Sequence, residues 1–424
     1  MTPPDTPDAP PPSTPPRSRT SPSVRPPSTR TGPRPAATAG WREANARRPA
    51  RQHLRTPAPD VSPADVVGAV LGAHAQVLSA AELSVGLRGE GLTRTDVRTA
   101  LWAEDPARRT LVKTLGPRGT VHLLPSAELH LWTGALAAVP TGPNPFAKGA
   151  RMTPEQVEEV VAAIGEALAG MELTVDELSD EVVSRTGPWA GDLVVPGLQQ
   201  MWPRWRQVLH LAGHRGLLAY APNRGRRATY TNPGCTPLPG PRAHAALVER
   251  YLSAYGPATP AHFARWLAAP GQWAAGLFAS LAGSGVIEEV AFEDVGPAWV
   301  VAGDTDFPAD PVRGVRLLPY FDAFTIASYP RERLFPGRAS ERALSPSGQA
   351  GNYPVLLVDG EVAGVWHQRR SGRRIAVTVE PLEGREALSG ARLRELEAEV
   401  ERVGAVMEGR AELTVGVVRV GPHA

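Results

Sequence analysis

The sequence predicts an α+β fold: three tandem winged-helix units on a β-rich, barrel-like carboxy-terminal scaffold. Two patterns carry this expectation. Between residues 59 and 310, runs with apolar positions every three or four residues give way three times to paired alternating runs around turn residues, which is how helices closed by a β-hairpin read. From Val315 onward the pattern changes to short strands, with Asp359-Gly360 as a tight hairpin turn. A third observation bounds the folded part. Residues 1 to about 60 hold 16 of the 45 prolines and almost no periodic apolar positions, so residues 1–58 are expected to form a disordered Pro/Arg-rich tail.

The composition narrows the class. With 424 residues, 42% of them hydrophobic, the chain can fill the cores of two to four structural units. No run of eighteen apolar residues and no signal-type stretch occurs, so a cytoplasmic protein without a membrane partner is expected. The single cysteine, Cys235, excludes an intramolecular disulfide and a cysteine-based metal cluster. Residues 1–60 carry 10 Arg against 4 acids, or +6; subtracting this from the whole-chain +2 leaves −4 for the remainder. Any polyanion must therefore be met by a local basic patch. An Arg-rich arm can add phosphate attraction, and a solvated tail without a partner fits the same charges.

The first unit, 59–150, opens with Ser62-Pro63-Ala64-Asp65, a capping residue, a proline suited to the first helical turn and an acid favoured by the helix dipole. Val66, Val67, Val70 and Leu71 form the apolar stripe that follows, and His74 continues it. Helices are expected over Ala80–Arg88 and Thr93–Trp102. Arg109–Leu115 and Thr120–Leu124 then flank a Gly-Pro-Arg-Gly turn that contains Arg118. The second unit, 151–235, repeats the order with helices from Thr153 to about Ala169, Thr174–Arg185 and Pro196–Gly213, then strands Leu217–Tyr220 and Ala228–Thr231. The third, 236–310, has helices Arg242–Tyr255, Thr259–Leu267 and Gly271–Gly283 and strands Val286–Phe292 and Ala298–Ala302. The scaffold, 311–424, has strands Val315–Leu318, Val355–Val358, Glu361–Trp366 and Arg374–Val379, a helix Arg392–Val403 and a last strand Ala411–Val418. Arg369, Arg370, Arg373 and Arg374 crowd one hairpin tip, which has the donors to clamp phosphates; a solvated charged turn is the alternative.

No P-loop, dinucleotide glycine pattern, His-Glu-x-x-His or Gly-x-Ser-x-Gly is present, and no cofactor or metal is expected. Attention falls on Gly72-Ala73-His74-Ala75-Gln76. On a regular helix, His74 and Gln76 would point about 200° apart, so they can serve one ligand only if the helix ends near Gly72 and leaves an extended turn. The alternative is a helix end with a half-buried histidine and an exposed glutamine. Val66 to Leu78, followed by Arg88-Gly-Glu-Gly-Leu-Thr93, Arg118-Gly-Thr-Val-His-Leu-Leu124 and Leu317-Leu-Pro-Tyr-Phe-Asp322, resembles the winged-helix DNA glycosylases of the AlkZ type, from about Val61 to Val418. That family commonly has Gln-x-Gln or Gln-x-Asp where this chain has His74-Ala75-Gln76, so histidine replaces the first glutamine.

The resemblance implies a monofunctional DNA glycosylase that hydrolyses the N-glycosidic bond of alkylated purines in double-stranded DNA; a monomer is expected. His74 and Gln76 would position the water, and Arg118 and the four tip arginines would contact DNA. Family members remove small N7 or N3 adducts or bulky natural-product adducts, and the histidine variant makes a bulky N7-guanine adduct the expected substrate. A lysine lyase is not expected, because Lys113 and Lys148 are the chain's two lysines and neither lies in this run. Two other classes fit parts of the pattern: a non-catalytic winged-helix DNA-binding regulator, which needs neither His74 nor Gln76, and a protein-interaction scaffold without DNA affinity.

Overall fold

The computed structural model describes residues 35–421 apart from 198–199, 385–387 and 389. The amino-terminal part of the expected tail, residues 1–34, lies outside the described residues. Its remainder is ordered, which corrects the boundary at residue 58. Strand β1 (Thr38–Ala39) pairs in parallel with a strand of the third unit, and helix α1 (Trp41–Arg51) follows. The helix is held by polar contacts that apolar periodicity cannot reveal. The buried Arg48 guanidinium donates to the carbonyls of Tyr255, Tyr329 and Pro257, Arg47 pairs with Asp304, and the Trp41 indole donates to Glu361 at 2.8 Å. Pro49 falls in the last turn, so the intrahelical bond its missing amide forgoes lies at the end of the helix.

The first unit runs α2 (Pro63–Ala69), β2 (Ala73–His74), α3 (Leu78–Gly86), α4 (Arg94–Trp102), β3 (Leu111–Leu115) and β4 (Val121–Pro125). Reciprocal capping boxes at Ser62/Asp65 and Thr93/Asp96 fix the starts of α2 and α4, as their sequences suggest. Helix α5 (Leu129–Ala137) leads to the second unit: α6 (Pro154–Ala167), β5 (Glu172–Thr174), α7 (Val175–Thr186), β6 (Leu193–Pro196), β7 (Met201–Pro203), α8 (Leu209–His214), β8 (Ala219–Arg224) and β9 (Arg227–Thr231). Here the expected helix Pro196–Gly213 is corrected. Its first half is the β6–β7 hairpin and a 3₁₀ turn over Arg204–Val208, because Pro203 lacks the amide a continuous helix needs there. The third unit, α9 (Gly240–Tyr255), α10 (Pro260–Leu267), α11 (Gly271–Gly283), β10 (Ile287–Phe292) and β11 (Gly296–Val301), agrees with the sequence to within a few residues.

The units share an arrangement of helix, short extended segment, helices and hairpin. The extended segment pairs antiparallel with the last hairpin strand in each: β2 on β4, β5 on β9, and the single bridge Ala258 on Trp299 of β11. Beyond them lie β12 (Val315–Leu318), three short helices α12 (Ala323–Ala327), α13 (Arg331–Leu334) and α14 (Arg338–Ala343), then β13 (Val355–Val358), β14 (Glu361–Ser371), β15 (Arg374–Pro381), α15 (Ala391–Val406) and β16 (Arg410–Val415). The strands form one curled sheet in the order β12-β13-β14-β15-β16, antiparallel except for the β15–β16 pair that α15 bridges. The result is a mixed α+β molecule with a half-barrel. Leu83 and Leu87 of the first unit pack with Trp366, Val377, Leu396 and Val403 in one core, so α3 is seated against the sheet and its helix. This docking brings the segment after β12 up to β2.

Candidate active site

Helix α2 ends at Ala69, earlier than the apolar stripe suggests. Leu71 (φ 60°) and Gly72 (φ 92°) adopt left-handed conformations that turn the chain out of the helix. The Tyr255 hydroxyl donates to the Val70 carbonyl at 2.7 Å and so satisfies one of the acceptors the helix end leaves open. A side chain at position 72 would meet Leu124 at 3.1 Å, tight even before the positive φ is counted. Ala73 and His74 then pair with Leu123 and His122, and the Ala75 amide donates to Val121 O at 2.7 Å. The chain is therefore extended from Ala73 through Ala75. The regular helix that would set His74 and Gln76 about 200° apart is absent here.

His74 is 8% exposed, whereas Gln76 is exposed. The His74 ring stacks on Phe321, with centroids 4.4 Å apart and planes at 30°, and meets its cross-strand neighbour His122 edge-on at 5.1 Å. Its Nδ1 is buried without a hydrogen-bond partner. No carboxylate therefore holds this nitrogen, the arrangement that would raise the basicity of the ring. Burial, aided by the nearby Arg118 charge, lowers the His74 pKa to about 3, so the imidazole is neutral at physiological pH. His122 is also held neutral by burial, and its Nδ1–H donates to Thr120 O at 2.9 Å. A Cβ at Gly116 would lie 2.8 Å from the His122 ring, which explains the glycine there.

The Phe321 wall comes from the far end of the sequence and is tied down by charge. Arg88, fully buried at the end of α3, forks onto both carboxylate oxygens of the equally buried Asp322 at 2.8 and 2.9 Å, and the Ser84 hydroxyl donates to the same carboxylate at 2.6 Å. Asp322 also accepts from the Phe324 amide at the start of α12. Phe321 is thus held at φ 55°, an unfavourable conformation for an aromatic residue, and such strain persists only where surrounding contacts fix it. Arg88, His122 and Asp322 lie in segments that carry the family resemblance, but nothing local in the sequence assigns them a role. The signal available was the opposite charge of Arg88 and Asp322 within two of those segments.

Arg118 sits at φ 63° in the turn between β3 and β4, with its Nη1 donating to Trp266 O at 2.5 Å. The turn therefore brings Arg118 close enough to act on the His74 charge. The four tip arginines are not equivalent. All four are exposed, but Arg370 is bound to Met407 O and Gly372 O and Arg374 is paired with Glu412, whereas Arg369 and Arg373 make no side-chain hydrogen bond among the described residues. Lys113 lies 4.8 Å over the Tyr220 ring, engaged with the second unit. Among the described residues no helix is long and apolar enough to cross a membrane.

The helix-and-hairpin units stand against a half-barrel, and the segment after α2 holds a buried histidine and an exposed glutamine. A family model described as DNA glycosylase AlkZ-like matches residues 67–406, which include His74, Gln76, Arg118 and Phe321. The chain is 32% identical over 351 residues to the interstrand DNA cross-link repair glycosylase of Streptomyces sahachiroi, covering 77% of this chain and 88% of that relative. The solved structure of the Streptomyces sahachiroi DNA glycosylase AlkZ superposes with a TM-score of 0.71 at 28% identity, over 89% of this chain and all of that one. The molecule is a DNA glycosylase, a DNA-repair enzyme. The chain belongs to the DNA glycosylase AlkZ-like family.

Proposed function

We propose that the protein is a monofunctional glycosylase that hydrolyses the N-glycosidic bond of alkylated purines in double-stranded DNA, with bulky N7-alkylguanines as its main substrates. The observation that carries this reading is the extended segment Ala73–Ala75, which presents a neutral, desolvated His74 next to the exposed Gln76. A purine alkylated at N7 is cationic and already a good leaving group, so the enzyme need only place a water against the sugar carbon and favour the oxocarbenium-like state. The Gln76 amide can donate to and accept from that water. His74 offers a lone pair, and with a pKa near 3 it serves better as an orienting acceptor than as a strong base.

The name of the Streptomyces sahachiroi relative refers to interstrand DNA cross-links, lesions in which bases carry covalent adducts, and this supports a bulky substrate. The three helix-and-hairpin units read as winged helices, and Arg118 with the exposed Arg369 and Arg373 as DNA contacts, in a monomer that acts in the cytoplasm. Engagement of Lys113 with Tyr220 fits hydrolysis by water rather than a lysine Schiff base. The test is single-turnover incubation with duplexes bearing one N7-alkylguanine, from methyl to a multi-ring adduct. Released base and an abasic strand are expected, with the bulky adduct processed at least as fast as the methyl. Tight binding without base release for every adduct would overturn the proposal.

A further inference from the structure

Arg265 and Arg331 hold their guanidinium groups against the ring of Tyr329, and Arg118, whose charge reaches His74, joins them from another part of the chain. Arg265 of α10 holds its guanidinium carbon 5.7 Å from the ring centroid, and Arg331 at the start of α13 holds its own at 4.6 Å. His262 stacks on the same ring at 5.0 Å and 13°. Arg118 arrives from the first unit and bonds the carbonyl of Trp266, the residue after Arg265. Its charge acts on both His74 and Arg331. Tyr329 is buried, Arg118 and Arg331 are half-buried and Arg265 is exposed, so the group has a floor and an open side.

Elsewhere in the molecule buried arginines are compensated. Arg88 has Asp322, Arg47 has Asp304, and Arg48 has three carbonyls. In this cluster, among the described residues, Arg118 has one carbonyl, Arg331 has those of Thr325 and Ile326 and the Tyr329 hydroxyl, and no carboxylate pairs with Arg118, Arg265 or Arg331. Like charges so placed repel, and burial pushes Arg118 and Arg331 below the usual guanidinium range. Cations beside His74 also oppose the positive charge that base release develops on the sugar. One bound anion relieves the repulsion and turns the local field favourable.

We propose that Arg118, Arg265 and Arg331 form a phosphodiester site next to His74, taking a backbone phosphate that flanks the target nucleotide. The inference rests on the excision reading and adds the contact that fixes the sugar against the water. Phosphate suits the cluster because guanidinium groups bind its oxygens through paired donors, and because a phosphate accompanies any nucleotide brought to His74.

The test uses the full chain and duplexes with one N7-methylguanine and a single methylphosphonate, which removes one backbone charge, stepped along the flanking positions. Arg265→Gln and Arg331→Lys are compared with wild type. Arg265 makes no hydrogen bond among the described residues, so its variant should fold normally, and thermal melts check the other. In the wild type, one or two methylphosphonate positions should lower affinity about ten-fold, as expected for a lost charged hydrogen bond. In the variants those positions should lose their effect, and the salt slope should fall by about 0.9 per lost contact. An identical methylphosphonate pattern in all three proteins, or a uniform loss at every position in the variants, overturns the proposal. Failure of the wild type to release base, with the phosphate pattern intact, would instead count against the excision reading and leave the phosphate site standing.

Discussion

The first unit and its two successors handle the same junction differently. In the second unit β5 runs directly into α7, and Thr174 caps that helix with a reciprocal box to Glu177; in the third, Ala258 is followed at once by Thr259, which makes the same box with His262. In the first unit three residues, Ala75, Gln76 and Val77, intervene between β2 and α3, and Val77 at the cap position makes no side-chain bond. Natural sequences tend to break local rules of this kind at functional sites. Here the inserted residues carry Gln76 to the surface beside His74, and the first unit gives up a helix cap in exchange.

Substitutions at the junctions test the difference between the units most strongly. Gln76→Ala and His74→Ala should each slow single-turnover excision of an N7-alkylguanine by about 10²–10⁴-fold, the usual effect of losing a group that handles the reacting water, with DNA affinity nearly unchanged. Thr174→Ala at the second unit's junction should leave excision intact and lower stability by about 1 kcal/mol, as lost caps do. Full excision by a Gln76→Ala, His74→Ala double variant would return the first junction to a structural role.

How much of this was legible follows from which interactions are local. Helix starts with capping boxes, such as Thr93/Asp96 and Thr153/Gln156, stand out because cap and acceptor lie three residues apart. Gly72 marks a helix end because glycine takes the left-handed conformation that ends one. Helix α1 did not stand out, because Arg47 and Arg48 are satisfied by partners more than 200 residues away. The β6–β7 hairpin was hidden behind Trp202, Trp205, Val208 and Leu211, which imitate helical spacing while Pro203 forbids it. Local reading is enough to single out His74 and Gln76 in one stretch, and Arg118 in one turn, as candidates. The stacking of Phe321, secured by Arg88 and Asp322, depends on a contact 234 residues apart in sequence.

The buried histidine also separates the units by pH. The position matching His74 carries no titrating group in the other two, where Thr174 and Ala258 occupy it. With a folded pKa near 3 against about 6.5 unfolded, His74 takes up a proton on unfolding only between those values. Its contribution is therefore fully present above pH 6.5 and is lost as pH falls towards 3. Urea unfolding at pH 7 and pH 5 should show His74→Gln losing less stability on acidification than wild type, by up to about 1.4 kcal/mol per pH unit. Wild-type excision should stay flat from pH 8 to 5, since the neutral ring persists throughout. A rate falling below pH 6.5 in the wild type and not in His74→Gln would mean that His74 titrates normally when DNA is bound.

The smallest expected effect asks whether the missing cap is itself needed. Val77 is 40% exposed and already extended at φ −109°, ψ 103°, so a serine there can accept from the first turn of α3 without moving the backbone. Val77→Ser should raise stability by about 0.5–1 kcal/mol, measured as a higher urea midpoint at unchanged m-value. Excision should stay within about two-fold of wild type if Gln76 needs only its place in the chain, because the cap acts on amides that follow it and not on the segment paired with β4. A gain in stability accompanied by a ten-fold or larger loss of excision would show instead that Gln76 must move to reach the water. The contrast between the units would then be one of mobility, with the capped junctions rigid and the uncapped one required to give.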